Sequence, residues 1–119
     1  MSPLPVIDPE GIRSLRALNP GDHDEFLREI VGIFLEDMPR RLTELDSSLA
    51  TGDAAKFSRA AHSIKGSSGN LGAMALREVA GKLEQHSQKE GLGDVAQLLN
   101  ELKVQFELAT AELKKLLET

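Results

Sequence analysis

The sequence predicts an all-α protein, an antiparallel up-and-down four-helix bundle preceded by a short helix. Apolar residues recur at steps of three and four along four long segments, which is the period of one helix face. No segment alternates between apolar and polar residues for more than a few positions, so strands are not expected. Short loops separate the segments, as between consecutive antiparallel helices. The length of 119 residues predicts a single domain over 1–119.

The bundle is expected to span residues 22–118, after an extended arm at 1–7 and a short helix at 8–18. Asp8 is the predicted N-cap of the short helix. Pro9 follows at the first helical position, where the missing N–H of proline removes no helical hydrogen bond.

The first long helix is predicted from about residue 22 to about residue 50. Asp22 and Glu25 are three residues apart and resemble a capping box. Pro39 lies inside the helix and cannot donate to the carbonyl four residues earlier, so we expect a kink or a break into two collinear helices. The predicted core-facing residues are Leu27, Val31, Phe34, Met38, Leu42, Leu45 and Leu49.

The other three long helices also show one apolar stripe each. The second long helix is expected to close at Gly72, and Asp94 is expected to cap the fourth. Because the core of the bundle buries the single apolar stripe of each helix, no second stripe remains for another copy of the chain, and we expect a monomer. The predicted core residues are Phe57, Ala61, Ile64, Ser68 and Leu71, then Leu76, Ala80, Leu83 and Ser87, then Val95, Leu98, Leu102, Phe106, Ala109, Leu113 and Leu116.

Composition excludes several classes of function. Lys and Arg number 14 against 19 Asp and Glu, the net charge is −5, and Trp and Tyr are absent, so nucleic acid is not an expected partner. The absence of cysteine removes disulfides, thiolate metal sites and cysteine nucleophiles. A metal site in a bundle would use Glu-x-x-His pairs on facing helices, and the sequence contains none, so no metal is expected.

The sequence also carries an expectation about location. No apolar run reaches the roughly 18 residues that a membrane span needs, so no membrane partner is expected. The N-terminus lacks the basic start and the long apolar core of a signal peptide, which favours the cytoplasm. The start at Met1 favours a free-standing protein over a piece of a longer one.

The most informative segment is residues 61–72 of the second long helix. At 100° per residue, His62 points roughly 140° away from the core face, with Gly66 at about 180° and Gly69 at about 120°. A lone solvent-facing histidine is usually an ordinary surface residue. Two helix-interior glycines on its side, each costing about 0.5–1 kcal/mol relative to alanine, instead suggest clearance for an approaching molecule. Lys65 can bring a cation to the same place, which suits a nucleophile that receives a phosphoryl group.

This segment resembles the signature of histidine-containing phosphotransfer (HPt) domains. That signature is a His, a Lys-Gly three residues later, small residues, and then an apolar residue with Gly. Gly69 stands where the family often has Ala. The residues that carry the resemblance are His62, Lys65-Gly66, Ser67-Ser68 and Leu71-Gly72, with Phe34-Leu35-Glu36-Asp37 before Pro39 and Leu83-Glu84 further along the chain.

The resemblance implies a histidine phosphotransfer protein in a two-component His–Asp phosphorelay. Such a protein accepts a phosphoryl group on its histidine, here His62, from a receiver-domain aspartate and passes it to another receiver. The implied partners are receiver domains of response regulators and of hybrid histidine kinases. The partner would supply Mg²⁺, so no cofactor is expected on this chain. No kinase activity is implied, and the sequence indeed lacks a G-x-x-x-x-G-K-[ST] motif and a kinase Gly-rich loop.

The resemblance also assigns roles to individual residues. Glu84 follows His62 by 22 positions, where the family residue contacts the imidazole. We expect its carboxylate to accept from Nδ1–H and leave Nε2 as the nucleophile, while Lys65 compensates the charge of the phosphate. Gly66, Gly69 and Ser58 are the expected clearance and docking surface around His62. Phe26, Ile30 and Ile33 lie off the core stripe and form a possible receiver-docking patch.

Two alternatives to a phosphorelay intermediate remain at this point. One is the phospho-accepting domain of a chemotaxis-type kinase whose catalytic part lies elsewhere. The other is a helical-bundle adaptor without catalytic function, in which His62 is incidental. Acid-labile, base-stable phosphate on the protein after incubation with a phosphorylated receiver would exclude the adaptor.

Overall fold

A computed structural model describes residues 4–118, and within that range the chain forms five helices and no strand. Helix α3 packs against α4 and α2, and α5 packs against α4 and α2. The predicted all-α bundle with a short N-terminal helix is therefore confirmed. No helix in the described range is long and apolar enough to cross a bilayer. The helices are α1 (Pro9–Leu18), α2 (Glu25–Thr51), α3 (Ala54–Asn70), α4 (Met74–Glu90) and α5 (Ala96–Leu117).

The apolar stripes meet in one core, and those of α3 and α4 are buried at every predicted position. In α5 the buried residue of the first turn is Leu99, and Leu98 beside it is only half-buried. In α2, Leu42 and Leu49 are half-buried at the edge of the core. The predicted core residues that are buried are Phe57, Ala61, Ile64 and Ser68 in α3, Leu71 directly after it, and Leu76, Ala80, Leu83 and Ser87 in α4.

Helix α1 begins as predicted. The Asp8 carboxylate accepts a hydrogen bond of 3.0 Å from the backbone N–H of Glu10, and Pro9 occupies the first helical position. The backbone N–H of Asp8 also donates to the carbonyl of Gly72 over 2.7 Å. Gly72 has φ +74°, and a Cβ on Gly11 would lie only 3.2 Å from its Cα, so the start of α1 is fixed against the α3–α4 turn. Residues 1–3 of the predicted arm lie outside the described range.

Helix α2 begins at Glu25, three residues later than predicted. Asp22 does provide a cap, but from a turn that precedes the helix. Its two carboxylate oxygens accept from the backbone N–H groups of Asp24 and Phe26, each over 3.0 Å. Asp24 itself adopts the left-handed conformation with φ 64°, which places the first helical turn after it.

Helix α2 continues through Pro39 without interruption, so the predicted break into two collinear helices does not occur. Pro39 lies on the exposed side of α2, while Met38 next to it is buried in the core. The hydroxyl of Thr43 donates to the carbonyl of Pro39 over 3.0 Å. A proline on the exposed side leaves the apolar stripe continuous, because its ring takes no place in the core.

Asp94 does not cap α5, which corrects the prediction. It adopts a left-handed conformation with φ 64°, and Val95 occupies the N-cap position without a side-chain hydrogen bond. The loop is held from α4 instead. His86 Nε2 lies 2.7 Å from the carbonyl oxygen of Gly93, and since a carbonyl only accepts, Nε2 carries the proton.

Candidate functional site

His62 lies on the side of α3 that faces away from the core. The neighbouring residues Ala61 and Ile64 are buried, while 68% of the His62 side chain is exposed. The predicted solvent-facing position of the imidazole is therefore confirmed. The two edges of the imidazole ring differ, because one of them contacts a side chain from α4.

That side chain is Glu84. Leu83 beside it is fully buried and fixes the rotation of α4, so that the Glu84 carboxylate, 13% exposed, lies against α3. One carboxylate oxygen, Oε2, is 2.7 Å from His62 Nδ1. The other, Oε1, accepts a hydrogen bond of 3.2 Å from Lys65 Nζ. The expected contact between Glu84 and the imidazole is present, and the same carboxylate also holds the lysine.

The electrostatics of Glu84 determine which tautomer His62 adopts. Burial of the carboxyl raises its pKa, but hydrogen bonds from His62 and Lys65 and the charge of Lys65 outweigh burial and hold the pKa below its ordinary range. Glu84 is therefore ionised at neutral pH and can only accept hydrogen bonds. It follows that Nδ1 of His62 carries a proton, and that the neutral ring presents the lone pair of Nε2 to solvent.

Gly66 lies one helical turn beyond His62 and leaves the surface open. It is exposed, and a Cβ at this position would meet no atom within 4 Å. Its φ is not in the left-handed region, so neither the backbone nor the packing requires glycine there. The open surface beside the ring is what an approaching molecule needs.

Comparison with known proteins identifies the family. A family model described as "Hpt domain" matches residues 29–118. The chain belongs to the Hpt domain family. The crystal structure of histidine-containing phosphotransfer protein B (HptB) from Pseudomonas aeruginosa PAO1 is similar, with a TM-score of 0.86, 27% identity and coverage of 96% of each chain. Among curated proteins, no sequence matches this one.

Membership in the Hpt family confirms the resemblance inferred from the sequence. Hpt domains are phosphoryl carriers of two-component systems rather than kinases, and this chain is a histidine phosphotransfer protein of a phosphorelay. The matched range includes His62, Lys65 and Glu84. Among residues 4–118 no three His, Asp or Glu side chains are grouped so that they could hold a metal ion.

Lys65 of the Hpt domain reaches Glu84 by crossing α4 at a glycine. A Cβ on Gly81 would lie 3.5 Å from Lys65 Cδ, so the lysine stem passes directly over this position. Sequence reasoning missed Gly81. The signal that could have found it is a helix-interior glycine three residues before Glu84, one turn away on the same face.

Two of the residues assigned to the clearance surface of the Hpt domain are not open. Ser58 is only 8% exposed and contributes little surface. The space above Gly69 is filled, since a Cβ there would lie 3.2 Å from both Cδ and Nε of Arg77. Both residues lie on the His62 side of α3, but Gly66 is the one that provides free space.

The possible docking patch lies beside α3. Phe26 and Ile30 are half-buried, and Ile30 packs against the core, whereas Ile33 is 61% exposed. Ile30 and Ile33 share a shallow groove with Ser67 and Asn70 of α3. The patch is thus continuous with the C-terminal half of the helix that carries His62.

The lowered pKa of Glu84 predicts how the free energy of unfolding changes at acidic pH. Because its pKa is lower in the folded protein than in the unfolded chain, the unfolded state binds more protons at acidic pH. The contribution of ionised Glu84 to the free energy of unfolding is complete above the ordinary pKa of about 4.3 and is lost as the pH falls through the lower folded value. Denaturant unfolding of wild type and Glu84→Gln between about pH 3 and pH 7 should show a stability difference that shrinks toward low pH.

A matched substitution at exposed Glu101 on α5 serves as the control and should show no such convergence. A wild-type advantage over Glu84→Gln that stays constant down to the lowest pH would contradict the assignment of an ionised, hydrogen-bonded carboxylate.

Proposed function

We propose that His62 is the residue that carries the phosphoryl group, accepting it on Nε2 from the phosphoaspartate of one receiver domain and passing it to the aspartate of another. The proposal rests on one observation above all: Nδ1 of this exposed ring lies 2.7 Å from the Glu84 carboxylate, which leaves Nε2 directed outward. Sequence position alone would not have distinguished the two nitrogens.

The geometry supports a simple transfer step. The bond between phosphorus and the aspartate oxygen breaks as the bond to Nε2 forms, and the aspartate leaves as a carboxylate. The lone pair of Nε2 makes the new bond, so no proton has to leave this nitrogen. The ring becomes cationic because Nδ1 keeps its proton, and the adjacent Glu84 carboxylate stabilises that charge, as a carboxylate does behind a catalytic histidine.

Lys65 has a different role in the proposal. Its ammonium lies beside the ring, bound to Glu84 and 37% exposed, and it can turn toward an anion at Nε2. It would compensate the negative charge of the phosphoryl group without touching the imidazole. Glu84 therefore acts on the imidazole ring, and Lys65 acts on the phosphoryl group that the ring carries.

The partners in this proposal are receiver domains of response regulators and of hybrid histidine kinases. A receiver would bring the phosphoaspartate together with the carboxylates and the Mg²⁺ that hold it, so the Hpt domain needs only a presented nucleophile. We propose that it meets them as a monomer, because each long helix directs one apolar stripe into the core. A cytoplasmic location belongs to the same proposal, because the phosphoryl groups of a relay originate from intracellular ATP.

Incubation with ATP and Mg²⁺ alone is expected to leave the protein unlabelled, because neither the sequence nor the site offers a nucleotide-binding motif. Addition of a phosphorylated receiver domain should transfer label to the protein. The bound phosphate should be acid-labile and base-stable, as phosphohistidine is. Self-labelling by ATP, or acid-stable label, would contradict the proposed carrier function.

Glu84→Ala is expected to slow phosphorylation without abolishing it. A hydrogen bond to a charged group contributes about 1.5–3 kcal/mol, so its loss should reduce the rate roughly 10- to 100-fold. Lys65→Ala should instead shorten the lifetime of the phosphorylated form.

Phosphorus NMR of the labelled wild type tests the orientation of the imidazole directly. A signal from Nε2-phosphohistidine is expected, and one from Nδ1-phosphohistidine would overturn the proposed geometry.

A further inference from the structure

Arg77 lies across α3 at Gly69. A Cβ on Gly69 would come within 3.2 Å of Cδ and Nε of Arg77, which is tighter than ordinary contact. Gly69 does not have a left-handed φ, so its backbone conformation would accept any residue. Glycine here weakens the helix relative to alanine. In return, the absence of a Cβ at Gly69 leaves room for the Arg77 side chain of α4 to cross the surface of α3.

The crossing point is on the His62 side of the protein. Gly69 follows His62 by seven residues, which is nearly two complete turns, so the two positions differ by only about 20° around the helix. They are about 10 Å apart along its axis. Arg77 is an exposed residue, and its side chain forms no hydrogen bond or ion pair with another residue in the described part of the chain.

The helix that carries His62 is basic, although the protein as a whole is acidic. The whole chain carries a net charge of −5, yet α3 contains Lys56, Arg59 and Lys65 and no acidic residue. Lys65 is bound to Glu84, so its charge is already compensated. Arg77 therefore adds an uncompensated cation to the face that carries His62.

We infer that Arg77, which crosses α3 at Gly69, determines affinity for the receiver domain by pairing with a carboxylate at the rim of the phosphoaspartate pocket. The inference rests on the proposed function, which makes the occupant of this face a protein surface rich in carboxylates and phosphate. Charge complementarity selects that occupant. A specific interface of about 800 Å² per partner extends roughly 16 Å from its centre, so a cation about 10 Å from His62 lies inside it. A charge at that distance acts on encounter and partner choice and leaves the chemical step to His62.

The test compares a donor that must dock with one that need not. Phosphoramidate transfers its phosphoryl group to Nε2 with release of ammonia and requires no protein surface, whereas a phosphorylated receiver domain requires one. For Arg77→Gln, the ratio of the receiver rate (kcat/KM) to the phosphoramidate rate should fall about three- to tenfold at low ionic strength. The difference from wild type should disappear by about 500 mM NaCl, where charges are screened within a few ångströms.

Two further variants separate charge from position. Lys115→Gln removes the same charge from an exposed site on α5 and should leave the ratio unchanged. Gly69→Ala keeps every charge but displaces the Arg77 stem, so it should stabilise the protein while lowering the ratio. If Arg77→Gln matches wild type in rate and salt dependence, or slows both donors equally, the inference is overturned. If wild-type protein accepts phosphate from phosphoramidate but from no receiver, the proposed function fails, and this inference with it.

Discussion

Replacing His62 with glutamine is expected to abolish phosphoryl acceptance and to leave the fold intact. The imidazole is 68% exposed and packs against nothing in the core, and the glutamine amide can still donate a hydrogen bond to Glu84. The free energy of unfolding should therefore change by no more than about 0.5 kcal/mol. Labelling by a phosphorylated receiver domain should fall to background, because the amide has no lone pair basic enough to displace aspartate from phosphorus.

The matched control is His23→Gln. His23 is also exposed but lies in the turn before α2, away from Glu84, so this variant should be labelled as fast as wild type. Thermal unfolding of both variants verifies that they are folded. Labelling of His62→Gln at the wild-type rate would show that the phosphoryl group is carried elsewhere.

Gly66→Leu is expected to stabilise the protein and to disable it at the same time. Leucine is about 0.5–0.8 kcal/mol more favourable than glycine in a helix, and the surroundings of Gly66 are empty, so nothing opposes the gain. The same side chain would stand beside His62 where the partner has to approach. Because a displacement of about 1 Å at the reacting atoms costs roughly 100-fold in rate, transfer from a receiver domain should slow by at least that factor.

Gly32→Leu in α2 is the matched control for Gly66→Leu. Gly32 is likewise an exposed helix-interior glycine with open space around it, so the substitution should bring the same stabilisation without affecting transfer. Phosphotransfer kinetics and unfolding curves of the three proteins give both quantities. A Gly66→Leu protein that is more stable and transfers normally would show that the open surface is not used for docking.

The sequence predicted the helices better than their ends. The stripe from Phe57 to Leu71 follows from helical period alone, and every predicted residue in it is buried. Helix starts depend instead on single residues in the preceding turns. Asp24 and Asp94 take left-handed conformations that no periodic pattern reveals, and they shift the start of α2 by three residues and that of α5 by one.

The features of the site also differ in how far the sequence alone predicts them. The exposure of His62 and the open side at Gly66 could be predicted because both depend on angles within one helix. The contact of Glu84 with the ring depends on how α4 is rotated and shifted against α3, so it was reached only through the family resemblance. The passage of Arg77 over Gly69 is another contact between these two helices, and neither periodicity nor the family pattern predicted it.

The bridge from Glu84 to both His62 and Lys65 has a thermodynamic consequence. A carrier in the middle of a relay must release its cargo as readily as it takes it up, so phosphohistidine and aspartyl phosphate have to lie close in free energy. A lysine with no other partner would attract the phosphate strongly, and the phosphorylated carrier would then be too stable to pass its phosphoryl group on. Here Lys65 keeps a competing carboxylate at 3.2 Å, so its attraction is divided. Under the proposed function we expect the transfer to stay reversible, so that the supply of phosphorylated and free receivers sets the direction of flow.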